Sequence, residues 1–388
     1  MKKSLLSLSL GGITIGITEF VMMGILPDIA TDLQVSIPVA GYLISAYALG
    51  VVIGAPLLVI IARNYPPKKT LLILAAMLAF FNALSIVVPS YGFLFLTRLL
   101  SGLPHGAFFG VGAVVASRLA ERGKEAQAIS IMFAGLTIAN LAGVPIGTYI
   151  GHHFSWRYTF ILIAVFGVIT FISLYFWMPK LVVGEEVSVK EQMQFFKKIE
   201  AWLVILITAI GVGGLFCWIS YIAPLLTEIS GFDAVDVPYI MILAGAGMVV
   251  GNVLGGKLAD QFSPDKTLIV LLLLMTFDLL MVFFFSEHPY VSLLLVFCTG
   301  CIAFALIAPI QMLMIQIAVG AEMIASATIQ ASFNIGNALG AFLGGLPLIA
   351  GFNYASPNLV GVGMSLIGVL FIVILAERRR RILKFAAV

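Results

Sequence analysis

Twelve apolar runs, each long enough to cross a bilayer as a helix, constrain this 388-residue chain more than any motif does. A helix needs about 20 mostly apolar residues to span a hydrocarbon core of ~30 Å. Runs of that length fall near 6–27, 38–61, 70–88, 92–116, 127–151 and 158–178, and again near 201–225, 236–256, 267–285, 290–314, 325–349 and 357–376. Charged or Pro/Gly-rich breaks separate them. Only 10% of the residues are charged and 61% are apolar, against roughly 25% charged in an ordinary soluble domain. A soluble fold is excluded. The short alternating segments of a membrane β-barrel are absent. The sequence predicts an all-α, polytopic membrane protein with twelve transmembrane helices in two six-helix bundles. The expected organisation is an N-terminal bundle over 1–178, a linker over 179–200 and a C-terminal bundle with a short basic tail over 201–388.

The first run follows two lysines, as in a signal peptide, but no A-x-A-like site follows it and the apolar stretch continues to Pro27. A retained first helix is expected. Cys217, Cys298 and Cys301 all lie in apolar runs, and an odd count suggests no disulfide framework. Cys298 and Cys301 have no second Cys/His pair, so helix packing is favoured over a metal or redox role. No cofactor and no metal are expected.

The charges orient the chain. With the N-terminus inside, 19 of the 21 Lys and Arg fall in cytoplasmic segments; only Arg98 lies within a span and only Arg157 outside. That bias predicts cytoplasmic N- and C-termini. The linker Pro179–Glu200 holds four lysines and four glutamates and is expected to contain an amphipathic piece from Gln192 to Ile199. The basic tail, Arg378 to Arg381, either contacts anionic lipid or acts as a stop-transfer anchor. A net charge of +3 distributed in this way does not point to nucleic acid.

The two halves repeat. Pro67-Lys-Lys-Thr-Leu71 returns as Pro264-Asp-Lys-Thr-Leu268 and Gly54 as Gly251, while Asn140, Gly143 and Gly147 return as Asn337, Gly340 and Gly344, all 197 positions on. Halves with an even number of helices share one orientation, so the repeat is parallel about an axis normal to the membrane. Alternating-access transporters built this way bind substrate between the halves near the midplane.

These residues resemble the major facilitator superfamily. Gly54 to Leu71 resembles its loop signature, and Gly256-Lys-Leu-Ala-Asp260 is closer to it. Arg98-Leu-Leu-Ser-Gly102 resembles the fourth-helix arginine motif, with Ser where Gln is usual, and Gly135 to Gly151 resembles the fifth-helix motif of antiporters. More narrowly, Glu19-Phe20 with Gly24-Ile-Leu-Pro27, Gly102 to Gly112, Ala139 to Thr148, Trp156 to Phe160 and Asn334 to Asn337 are similar to arabinose-type efflux permeases of the drug:proton antiporter branch. The resemblance implies the major facilitator fold, a gating role for Asp260, and a central cavity flanked by helices 1 and 4. The chain departs from the pattern at Arg63, which stands where the second half has Asp260.

A charge inside a span costs roughly 2.5–3.5 kcal/mol on insertion scales, so it usually marks a pathway. Glu19 lies eight residues before Pro27, about 12 Å from that end of helix 1, and Arg98 seven residues after Tyr91, about 10 Å down helix 4. Two readings fit them: Glu19 as a proton carrier under the electrostatic control of Arg98, or a static ion pair locking two helices. His105 stands two turns beyond Arg98 on the same face, with Ser101 between. It is either a substrate or relay group or a neutral histidine bonded to backbone. Asn140 and Asn337 are either helix glue or substrate contacts. Tyr42, Tyr47, Trp218, Tyr221, Gln311 and Gln330 are candidates for a mixed aromatic and polar cavity, or packing residues. Asp278, in the ninth span, reads as a structural partner. Gly143, Gly147, Gly340 and Gly344 continue small-residue stripes that let helices approach and slide, and Pro145 adds a bend.

Three functions follow: a proton-coupled exporter of a sugar or drug-like solute, an uncoupled facilitator, or a receptor or lipid-handling protein on the same scaffold. The chain carries no catalytic constellation and no P-loop, so an enzyme and an ATP-driven pump are both excluded. A small-molecule substrate, protons and membrane lipid are the expected partners, and the expected state is a monomer.

Overall fold

The computed structural model describes residues 2–35, 37–62, 64–181, 194–233 and 235–386. Twelve helices among them are long and apolar enough to cross a membrane: Lys3–Asp32 (α1), Val39–Ala62 (α2), Pro67–Leu84 (α3), Tyr91–Leu119 (α4), Glu125–His153 (α5), Trp156–Trp177 (α6), Ile199–Ile219 (α7), Tyr239–Phe262 (α8), Pro264–Phe285 (α9), Pro289–Ile317 (α10), Glu322–Ile349 (α11) and Pro357–Arg381 (α12). The protein is a multi-pass membrane protein, all-α as the periodicity implies. Large apolar side chains such as Phe80, Val165, Phe277 and Leu370 stay exposed on the helices, a surface suited to lipid rather than water.

Local chemistry places the ends. Proline occupies the first turn of α3, α9 and α10, where its missing N–H costs no helical bond. Gly123 and Gly320, at φ +80° and +82°, make the turns before α5 and α11, and their amides donate to Glu125 and Glu322, two residues on. The repeat therefore extends to the turn chemistry of these loops.

One expectation changes. Helix α1 does not stop at Pro27 but runs through it to Asp32, with Thr31 Oγ1 donating to the Pro27 carbonyl at 3.0 Å. The proposed amphipathic piece of the linker falls partly outside the described residues, as does Arg63; Gln194–Lys197 form a single tight turn before α7.

The described chain divides into two compact units, one of Met1–Met193 with Gly320–Ala331 and the other of Gln194–Val319 with Ser332–Val388. In the first, α2 pairs with α4, α1 with α5 and α3 with α6; in the second, α8 pairs with α10 and α9 with α12. Beneath α1 and α6 lies a core of Ile17, Val21, Ile25, Trp156, Phe160 and Ile163.

The α2/α4 and α8/α10 pairs are built on glycine. A Cβ on Gly50 would stand 2.1 Å from the Leu99 carbonyl oxygen, one on Gly54 2.2 Å from that of Leu103, and one on Gly102 2.2 Å from that of Tyr47. In the second unit Gly247 meets Phe297, Gly251 meets Cys301 and Gly300 meets Ala244 in the same way. Leu99, Gly102 and Leu103 thus correspond to Phe297, Gly300 and Cys301, one position beyond the 197 offset. Helix α9 is four residues longer than α3, at 22 against 18, and the turn 286–288 is three residues shorter than 85–90. The next loop, 318–321 against 120–124, is one residue shorter and restores 197 at Glu125 and Glu322. An offset of 197 carried into α4 would pair Arg98 and His105 with Leu295 and Ile302, but the contacts make Val296 and Ala303 their counterparts.

Candidate functional site

Helix α4 carries Arg98, Ser101 and His105 on one face, and α1 and α2 close over them. Arg98 and Ser101 are fully buried, and His105 and Tyr47 nearly so. The close approach at Gly50, Gly54 and Gly102 lays the Tyr47 ring against α4. The Arg98 guanidinium carbon sits 4.5 Å from the Tyr47 ring centroid, a cation–π contact, and Tyr47 Oη lies 3.0 Å from His105 Nδ1. Beyond His105 the aromatic row continues through Phe109, edge-on at 5.3 Å, to Phe133, stacked on Phe109 at 4.7 Å.

Arg98 does not clasp Glu19. Its Nη1 donates to the Thr18 carbonyl at 2.9 Å, and its Nε and Nη2 are buried with no hydrogen-bond partner. No Glu19–Arg98 ion pair within 4.0 Å occurs among the described residues. Glu19, half-buried, interacts with Arg98 and Tyr47 through space. A static ion pair is therefore not what joins α1 to α4. A guanidinium with open N–H groups beside a carboxyl group can accept that group when it ionises and release it when it is protonated. In the Tyr47–His105 bond the donor is set by the histidine tautomer.

The other candidates bond within their own helices, lie apart from this cluster, or belong to the second unit. The Ser101 hydroxyl donates to the Arg98 carbonyl at 2.9 Å, within its own helix. Asn140 donates to the Leu136 carbonyl at 3.0 Å, at the start of a widened helical turn over Ala139–Gly143 that immediately precedes Pro145. Gly143, Gly147 and Gly151 seat Ile17, Val21 and Ile25 of α1, as a close-packing stripe should. Tyr42 is 60% exposed. In the second unit Trp218 and Gln311 are buried, Asn337 and Asp260 are half-buried, and Tyr221 Oη donates to the Ala341 carbonyl at 2.7 Å. Gly340 meets the Gly213 carbonyl and Gly344 meets Cys217.

Tyr47 is the member whose importance the residue pattern understated. The signal for it was the spacing of Gly50 and Gly54 on one helix and Gly102 and Gly106 on another, which brings the helices carrying Tyr47 and Arg98 into backbone contact. The second unit has Ala244, Val296 and Ala303 where the first has Tyr47, Arg98 and His105.

A twelve-span protein with duplicated scaffolding and an ionisable cluster buried in one half belongs to the class of membrane transport proteins, not enzymes. Residues 8–329 match the Major Facilitator Superfamily, and the chain belongs to that superfamily. It is 43% identical over 354 residues to AraJ of Escherichia coli strain K12, covering 91% of this chain and 90% of AraJ. It is 38% identical over 375 residues to the inner membrane transport protein YdhP of the same strain (97% and 96% covered), and 31% identical over 343 residues to a chloramphenicol resistance protein of Streptomyces lividans (86% and 85%). Among solved structures, the proton:xylose symporter XylE shares the fold with a TM-score of 0.78 at 16% identity, over 95% of this chain and 94% of XylE.

Proposed function

We propose that the protein is a proton-coupled antiporter of a bacterial inner membrane, with both termini cytoplasmic, that exports a small organic solute by alternating access. Glu19 carries the proton, and Arg98 controls it. The observation that carries this reading is the pair of buried, unpartnered Arg98 nitrogens beside a half-buried carboxyl group that makes no ion pair. An ionised Glu19 gains charge-assisted bonds by moving onto those donors, whereas a protonated one does not need them. Glu19 takes up its proton when the cavity faces outside and releases it inside, where substrate binds for the outward step, so proton and substrate cross in opposite directions.

The substrate is a sugar or a drug-like compound. Few intramembrane charges are present, which disfavours a strongly charged solute. The Streptomyces lividans relative is named for chloramphenicol resistance, and XylE, which shares the fold, for xylose. Reconstituted vesicles carrying a panel of sugars and amphiphilic drugs, with and without an imposed pH gradient, test the reading. Efflux that accelerates with the gradient, and loses that dependence in Glu19→Gln, is expected. Equilibration indifferent to the gradient would make the protein a facilitator instead.

A further inference from the structure

The second unit holds one carboxyl group deep in a span. Asp278 lies in α9, 5% exposed, and its Oδ2 is 2.6 Å from Thr299 Oγ1 on α10. The same Thr299 oxygen is 2.7 Å from the Leu295 carbonyl, one turn back in its own helix. A hydroxyl has one hydrogen and two lone pairs. One hydrogen cannot make two full-strength donations at 2.6 and 2.7 Å, and the Leu295 carbonyl has no hydrogen to give. Both contacts are full two-centre bonds, rather than one hydrogen shared between two acceptors, only if Thr299 donates to Leu295 and accepts from Asp278. Asp278 must then hold a proton on Oδ2.

Burial leads to the same answer independently. Helices α8, α10 and α12 all pack against α9. No cation lies within 4.0 Å of Asp278 among the described residues. The titratable groups within electrostatic reach are the Cys298 and Cys301 thiols of α10, neither of which supplies positive charge. An ionised carboxylate there would have a single neutral donor, which leaves a buried charge uncompensated. In the first unit the equivalent α3/α4 interface is joined by a neutral hydroxyl pair, Ser85 Oγ donating to Thr97 Oγ1 at 2.8 Å. A protonated Asp278 makes the α9/α10 joint neutral as well.

We infer that Asp278 is a second proton-binding site of this protein, holding its proton as a carboxylic acid that donates to Thr299 and clamps α9 to α10. This site is separate from Glu19 and stands whatever Glu19 does. Losing the proton removes the donor, leaves Thr299 with two competing acceptors, and loosens the clamp.

Infrared spectra of the purified full-length protein in lipid test this. A Glu19→Gln background removes the mid-span carboxyl group of the first unit from the signal. At neutral pH that protein is expected to show the C=O stretch of a protonated carboxylic acid, which disappears in Glu19→Gln/Asp278→Asn and moves to higher frequency in Glu19→Gln/Thr299→Val. Asparagine keeps a donor toward Thr299, so that variant is expected to fold; if it does not, the Thr299→Val shift decides alone. A protonated-carboxyl region unchanged by either substitution would show Asp278 ionised and overturn the proposal. Loss of pH-driven transport in Glu19→Gln with the Asp278 band intact would separate the two sites.

Discussion

Arg98 Nη1 donates to the backbone carbonyl of Thr18, the residue before Glu19, rather than to the Glu19 carboxylate itself. The bond is short, buried and reaches across 80 positions of chain, so it anchors the guanidinium on α1 while leaving Nε and Nη2 open. A backbone acceptor cannot change its charge. Arg98 is thus held in place independently of the protonation state of Glu19, as a fixed electrostatic reference for a titrating neighbour must be.

Arg98→Lys keeps the charge but loses the planar fork that reaches the Thr18 carbonyl while resting on the Tyr47 ring. Proton-driven efflux is expected to fall at least tenfold, equivalent to about 1.4 kcal/mol in the rate-limiting barrier. The melting temperature should move by only a few degrees. Efflux at the wild-type rate would mean that only the positive charge matters.

Tyr47→Phe removes the hydroxyl facing His105 Nδ1 and leaves a buried ring nitrogen without that partner, a loss of about 1–3 kcal/mol. A lower melting temperature is expected, together with a changed pH profile of transport. If His105 only packs, the melt shifts and the profile does not. Adding His105→Phe separates the cases, because it removes the orphaned nitrogen and should restore stability without restoring the profile.

Helix existence was legible in the sequence because every span had to satisfy its backbone within itself. The helix ends were less so. Pro27 reads as a stop, yet α1 continues because a proline at this place breaks one bond and the turns beyond it re-form, with Asp32 tied down at the end. The 197 offset is legible in the loops and in α5. In α4 it becomes 198, because a longer helix and a shorter turn nearly cancel, a compensation invisible without contacts. Glu19 and Arg98 announced themselves by their cost in an apolar run. Their missing ion pair did not, because depth along two helices says nothing about which acceptor a guanidinium takes.

The glycine contacts make a sharp test of the α2/α4 and α8/α10 joints. Alanine at Gly54 or Gly251 would push a Cβ to 2.2 or 1.7 Å from a facing backbone carbonyl oxygen, which no rotamer change relieves. Both variants should lose most of their folded, monodisperse yield in size-exclusion chromatography. Gly363→Ala, where nothing lies within 4 Å, should be neutral or stabilise by up to about 1 kcal/mol through helix propensity. If all three behaved alike, the helix crossing would be looser than its geometry.

The last turn of α1 is held by Asp32, whose Oδ2 accepts from Trp156 Nε1 at 3.0 Å and pairs with Arg157. The Arg157 guanidinium also lies 4.2 Å from the Trp156 ring centroid, so the three side chains act as one unit. Asp32 is partly exposed, which limits the ion pair to about 0.2–1 kcal/mol, with roughly another 1 kcal/mol for the indole bond. Asp32→Ala should therefore lower stability by about 1–2 kcal/mol, read as a drop in melting temperature. In a double-mutant cycle with Arg157→Ala, the coupling should shrink at high salt. The indole contribution should persist, because it does not depend on a charge on Trp156. Were α1 to end at Pro27, Asp32 would lie on a free loop, and the substitution would leave the melt unchanged.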